Sequence, residues 1–234
     1  MTLQQHDFES RDALCEALAG RIIDDLVDAL ARRDRASLLL SGGSTPTPLY
    51  RALSGAALDW SRVDVALVDE RWVDPGHAAS NERLLRETLL TGAADAASLI
   101  GMKTAHAHAC DGLQSCNEHY ASLPWPATLC LLGMGPDGHT ASLFPHAHGL
   151  DAAFAAHQHC APIEAIPSAV TGDLVERMTL TPWSILQSER LVLMITGEEK
   201  RAVLERALEV EDSRDMPIAH ILRKASSLEV YWAP

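Results

Sequence analysis

An apolar run, Leu129-Cys130-Leu131-Leu132, breaks into Gly133-Met134-Gly135-Pro136-Asp137-Gly138-His139, so an acid and an imidazole stand two residues apart just past what reads as a buried strand. Asp137 and His139 are the groups a proton-transfer site uses, and glycine lets the backbone turn sharply and approach a ligand. Three other apolar runs also end in polar residues. After residues 36–41 comes Gly42-Gly43-Ser44-Thr45-Pro46, a glycine loop opening a helix, whose free N–H groups and hydroxyls suit a phosphate. After residues 63–68 come Asp69-Glu70-Arg71, at a position where open α/β sheets place ligand contacts. After residues 190–196 come Gly197-Glu198-Glu199-Lys200, which put one of the chain's three lysines in the first turn of a helix. A cation there costs about 0.3–1 kcal/mol unless an anion faces it.

Rival chemistries find less support. Gly133-x-Gly135-x-x-Gly138 has the spacing of a dinucleotide loop, but Pro136 lies inside it and Pro145 ends the next segment before a long helix can form. Neither a Gly-Lys-Ser/Thr phosphate loop nor a Gly-x-Ser-x-Gly nucleophile turn occurs. His106, His108, Cys110, Cys116 and His119 are irregularly spaced in an alanine-rich stretch, which favours a surface loop running into a helix over a metal site. Two alternatives stay open here. Asp137 either serves the site or closes a turn, since aspartate before glycine is common in turns; Arg71 either binds an anion or pairs with Glu70 or Asp69.

These groups need a scaffold to bring them together. Apolar residues at three- and four-residue spacing predict helices over 10–33, 80–90, 113–123 and 201–208, with shorter ones through Tyr50 and Leu53, over 152–159, 182–186 and 217–222. Short apolar runs predict buried strands over 36–41, 63–68, 126–132 and 190–196. An irregular strand over 160–166, a half-exposed one over 176–181 and a last one over 228–232 complete the set. Strands alternating with helices imply an α/β fold, a Rossmann-like open, largely parallel sheet with helices on both faces. The four polar strand ends should then meet along one sheet edge.

The chain has 234 residues, enough for one domain over 1–234, and no linker-like stretch divides it. A formal net charge of −13 argues against nucleic acid and anionic membranes as partners. No apolar run nears the roughly 20 residues of a membrane span, and residues 1–10 lack a secretory pattern, so a cytoplasmic location is expected. Five irregularly spaced cysteines fit reduced thiols.

Four stretches in the same order, Ser41-Gly42-Gly43-Ser44-Thr45-Pro46, Asp69-Glu70-Arg71-Trp72-Val73, Ser80-Asn81 and Gly133 to Pro145, resemble the 6-phosphogluconolactonases. The likeness extends to Arg177-Met178-Thr179-Leu180-Thr181 and Thr196-Gly197-x-x-Lys200, nearly the whole chain. It implies hydrolysis of 6-phosphogluconolactone to 6-phosphogluconate, step two of the oxidative pentose phosphate pathway, without a cofactor or metal. His139 would be the general base and Asp137 its companion. Gly43, Ser44, Thr45, Asp69, Arg71, Arg177 and Lys200 would bind the phosphosugar lactone, in a monomer or weak homodimer. The related glucosamine-6-phosphate deaminases place a glutamate where Phe144 stands, and they read Asp-Glu-Tyr where Asp69-Glu70-Arg71 stands. Both departures favour the lactonase over a deaminase-like activity. A non-catalytic sugar-phosphate sensor would carry a basic DNA-binding segment, which this acidic chain lacks.

Overall fold

The computed structural model describes residues 2–234. Helix α1 (Arg11–Arg32) follows β1 (Thr2–Asp7). The Ser10 side chain accepts the Ala13 N–H at the helix start, and Leu14, Leu18, Ile22, Leu26 and Ala29 form its buried stripe. Then come β2 (Ala36–Leu40), α2 (Thr47–Ser54), β3 (Val63–Leu67), β4 (Asp69–Arg71), α3 (Asn81–Thr88), β5 (Ser98–Ile100), α4 (Ala109–Ala121) and β6 (Ala127–Leu132). The second half holds α5 (Leu150–Ala155), β7 (Cys160–Glu164), β8 (Glu176–Leu180), α6 (Pro182–Ile185), β9 (Ser188–Thr196), α7 (Glu198–Glu209), α8 (Ile218–Lys224) and β10 (Ser227–Ala233).

Seven strands form one parallel sheet in the order β1-β10-β9-β6-β2-β3-β5, with the helices around it. The α/β, Rossmann-like architecture is as expected. Every residue of β2, β3 and β6 is buried, which is why these strands read as unbroken apolar runs rather than alternating ones. The chain runs outward from β2 through β3 to β5, then returns to the other side of β2 as β6. The crevice between the C-terminal ends of β2 and β6 is therefore the topological switch point, where sheets of this kind bind ligands.

The rest of the chain departs from expectation in places. Residues 176–181, read as a half-exposed strand, are nearly all buried, because β8 is the middle of a second, antiparallel sheet, β4-β8-β7. Val68 joins the two sheets: its N–H donates to Leu40 O in the parallel sheet and its carbonyl accepts Leu180 N–H from β8. The helix expected over 152–159 runs instead from Leu150 to Ala155, and that over 113–123 from Ala109 to Ala121. Strands β1, β4 and β5 lie outside the expected set. Among the described residues, no helix is long and apolar enough to cross a membrane.

Candidate active site

Four strand ends close around a cleft of about 220 Å³. Ser41, Gly42, Gly43 and Thr45 enter from β2, Asp69 and Arg71 from β3 and β4, Gly133, Gly135 and His139 from β6, and Thr196 and Lys200 from β9. The expected convergence is thus realised. Pockets for drug-sized ligands generally run to roughly 300–1,000 Å³, so the cleft is a small one. No helix follows β6 before α5, so the glycine spacing there serves a purpose other than dinucleotide binding.

That purpose is to fold the chain back on itself. Gly135 N–H donates to His139 O at 2.9 Å, Gly138 N–H to Gly135 O at 3.1 Å, and Thr140 Oγ1 to Gly133 O at 2.8 Å. A β-carbon on Gly135 would fall 2.0 Å from His139 Nδ1, so only glycine leaves room for the ring. His139 Nδ1 lies 2.5 Å from Asp137 Oδ1, and the same oxygen accepts the His139 N–H at 3.1 Å. Burial works against the Asp137 carboxylate, but the contacts from His139 outweigh it and hold its pKa below the ordinary carboxylate value. One Asp137 oxygen thus closes the turn and holds the imidazole together. The Phe144 ring packs at 4.5 Å from the imidazole centroid and is nearly buried.

The positive groups come from different elements. Arg71 donates to Ala79 O at 2.6 Å rather than pairing with Glu70 or Asp69. Lys200 lines the cleft from the first turn of α7; burial lowers its pKa, against the pull of Glu199 and Asp137. Arg177 stands opposite Arg71 across β4 and β8 but behind the cleft wall, 3% exposed, with one guanidinium bond to Thr171 O. Its Nε and Nη1 have no partner, and burial together with the Arg71 charge pushes its pKa down to about 10, against Asp69 and Glu70. Among the described residues, none of these three cations forms an ion pair.

Helix starts supply further donors. Neither α2 nor α7 has a side-chain cap, and both begin at the cleft, beside Thr45 and Lys200. Helix α3 differs, because the buried Glu70 carboxylate accepts the N–H groups of Asn81 and Glu82 and the Ser80 hydroxyl. Its positive end is already neutralised. The uncapped donors at the cleft are therefore those of α2 and α7. Gly43, Ser44 and Thr45 are exposed in the β2 loop, with Ser44 just outside the cleft lining.

Two contributors went unassigned from sequence. Asn81 lines the cleft and donates through Nδ2 to Asp69 O at 2.9 Å. Ser142, wholly buried, donates to Asp69 Oδ2 at 2.5 Å. Asn81 was visible as the residue after a helix cap, but the partner of Ser142 lies 73 positions away, beyond any local pattern. Asp69, so fixed, is an acceptor suited to a sugar hydroxyl rather than to a phosphate. Among the described residues, no group of three or more His, Cys, Asp or Glu side chains is arranged to hold a metal ion.

A family model for glucosamine-6-phosphate isomerases/6-phosphogluconolactonase matches residues 9–232. The chain is 41% identical to the 6-phosphogluconolactonase of Rhizobium meliloti (strain 1021) over 235 residues, covering 100% of both chains. It is also 41% identical over 220 residues to that of Pseudomonas aeruginosa, covering 93% of this chain and 89% of the relative. The crystal structure of a 6-phosphogluconolactonase from Shewanella baltica OS155 superposes with a TM-score of 0.94 at 37% identity, covering 100% and 98% of the two chains. A monomeric glucosamine-6-phosphate deaminase shares the fold, with a TM-score of 0.77 at 18% identity over 98% and 97% of the chains. The turn carrying Asp137 and His139, the strand ends facing it and these matches agree: the chain belongs to the glucosamine-6-phosphate isomerase/6-phosphogluconolactonase family.

Proposed function

We propose that the chain hydrolyses 6-phospho-D-glucono-1,5-lactone to 6-phospho-D-gluconate, the second step of the oxidative pentose phosphate pathway, by general-base activation of water. A δ-lactone is an activated ester, so a positioned water and one base suffice, a contribution of roughly 10²–10⁴-fold. With Asp137 ionised, Nδ1 of His139 carries the donated proton, and Nε2 is left with its lone pair. Nε2 takes a proton as water attacks the lactone carbonyl, Asp137 stabilises the imidazolium, and the same proton passes to the ring oxygen as the ester bond breaks. No covalent intermediate is needed.

The phosphate sits between the starts of α2 and α7, held by Gly43, Ser44 and Thr45 with Lys200 and Arg71, while Arg177 adds charge from behind the wall. Asp69 receives a ring hydroxyl. The observation that carries the lactonase reading over deaminase chemistry is Phe144, whose apolar ring packs on His139 and cannot relay a proton. The enzyme acts on a small phosphosugar lactone as a cytoplasmic single domain, a monomer or weak homodimer, with no cofactor. The test is to follow acid release from freshly made 6-phosphogluconolactone. Acceleration over spontaneous hydrolysis is expected, and its absence overturns the proposal.

A further inference from the structure

Catalysis from a turn requires that the turn also be held against the rest of the molecule. We propose that residues 212–218 brace the catalytic turn from outside, with Met216 as the positioning residue that keeps His139 on Asp137. This rests on the reading of His139 as general base.

Gly138, between Asp137 and His139, has φ +79°, and Met216 is folded over it: a β-carbon there would lie 2.8, 2.9 and 3.0 Å from Met216 Cβ, Cε and Cγ. The Gly138 carbonyl accepts the Ile218 N–H at 2.9 Å. At the far end of the same stretch, His146 N–H donates to Arg214 O at 3.3 Å, and His146 Nε2 lies 2.8 Å from Asp215 Oδ1. His146 is itself left-handed, φ 53°, a conformation that a non-glycine residue keeps only where its surroundings hold it. The brace is anchored in its turn: Met216 packs partly buried on the main core, its carbonyl accepts Ala219 N–H at the start of α8, and Arg214 is bonded to Asp212.

One segment thus fixes the turn at Gly138 and at His146. The 2.5 Å contact of His139 with Asp137 straddles the first of these points, and catalytic groups generally need placement within about 0.5 Å. Removing the Met216 side chain leaves open space over Gly138 and lets the turn relax into it.

The experiment compares the full-length wild type with Met216→Ala, Met216→Leu and Asp215→Ala, measuring kcat, KM, thermal melting and the far-downfield imidazole N–H resonance of His139, assigned by its loss in Asp137→Asn. Met216→Ala is expected to lower kcat about tenfold with KM within about twofold, and to move the resonance upfield. Met216→Leu restores both. An unmoved resonance with kcat within twofold of wild type overturns the proposal, as does a fall in kcat matched only by lost folded fraction. Should Met216→Ala fail to fold, Asp215→Ala decides, since that side chain is more than half exposed; wild-type kcat and resonance there overturn the brace. If the wild type shows no turnover, the functional reading falls, and the resonance alone still decides the positioning role.

Discussion

At the scale of single residues, base and phosphate ligand are distinguishable by which kinetic constant they move. His139→Ala removes the proposed proton acceptor but leaves Lys200, Arg71 and the β2 loop in place. Acid release should fall to the spontaneous rate while product binding persists; an unchanged kcat would refute the base. Lys200→Ala removes a cation from the cleft without touching the turn, so KM should rise at least tenfold with kcat changed far less. Asp137 links catalysis to stability. Its pKa is depressed in the fold, so its pairing with His139 contributes stability above the unfolded carboxylate value of about 3.9, and loses it as pH falls through the lower folded value. Asp137→Asn should melt below wild type at pH 7, the gap narrowing below pH 3.9, and lose kcat at least tenfold because His139 no longer has an anion on Nδ1. Melting curves at both pH values test it. His139, Asp137, Arg71 and Lys200 were legible because each stands at the end of an apolar run. Arg177 was legible by type, but its place behind the wall follows from strand pairing that no local pattern encodes.

At the scale of elements, the parallel strands announced themselves and the edges did not. Strand β1 reads Thr-Leu-Gln-Gln-His-Asp, too polar to signal a strand, because it lies at the sheet edge and pairs with β10 alone. Strand β4 is three residues long and wholly charged, too short and too polar to signal a strand, yet Asp69 and Glu70 are buried where it pairs with β8. Glu70 shows why that burial is tolerated. Burial raises its pKa, while N–H donors from Asn81, Glu82 and Arg71 and the Ser80 hydroxyl pull the other way. It seals the start of α3 and so fixes Asn81 at the cleft. Glu70→Ala strands those donors in a dry site, where each unsatisfied group costs about 1–3 kcal/mol. The variant should melt several degrees lower and also raise KM through Asn81 and Arg71; denaturant unfolding and steady-state kinetics together check it, and wild-type stability would show that the cap is dispensable.

At the scale of the whole molecule, the question is whether the two sheets unfold together. The antiparallel sheet has two faces with different neighbours: Cys160, Met178 and Leu180 belong to the main core, whereas Ala161 and Ile163 join Leu143, Phe144 and Leu150 in a smaller cluster. One sheet therefore shares the core of the other, and Phe144 ties the smaller cluster to His139. The five cysteines, all free, are placed to report on this. Cys110 is exposed, whereas Cys15 in α1, Cys130 on β6, Cys116 in α4 and Cys160 on β7 are buried. Cys116 and Cys160 touch, Sγ to Sγ 3.2 Å, across the junction between α4 and the small sheet. Burial raises the Cys15, Cys130 and Cys160 thiols, which disfavours the reactive thiolate in the folded chain. Native alkylation should label Cys110 at once and the four buried thiols later, at one shared rate set by global opening. Earlier labelling of Cys116 and Cys160 than of Cys15 and Cys130 would mean that the small sheet opens by itself, and the chain would then be two cooperative units rather than one.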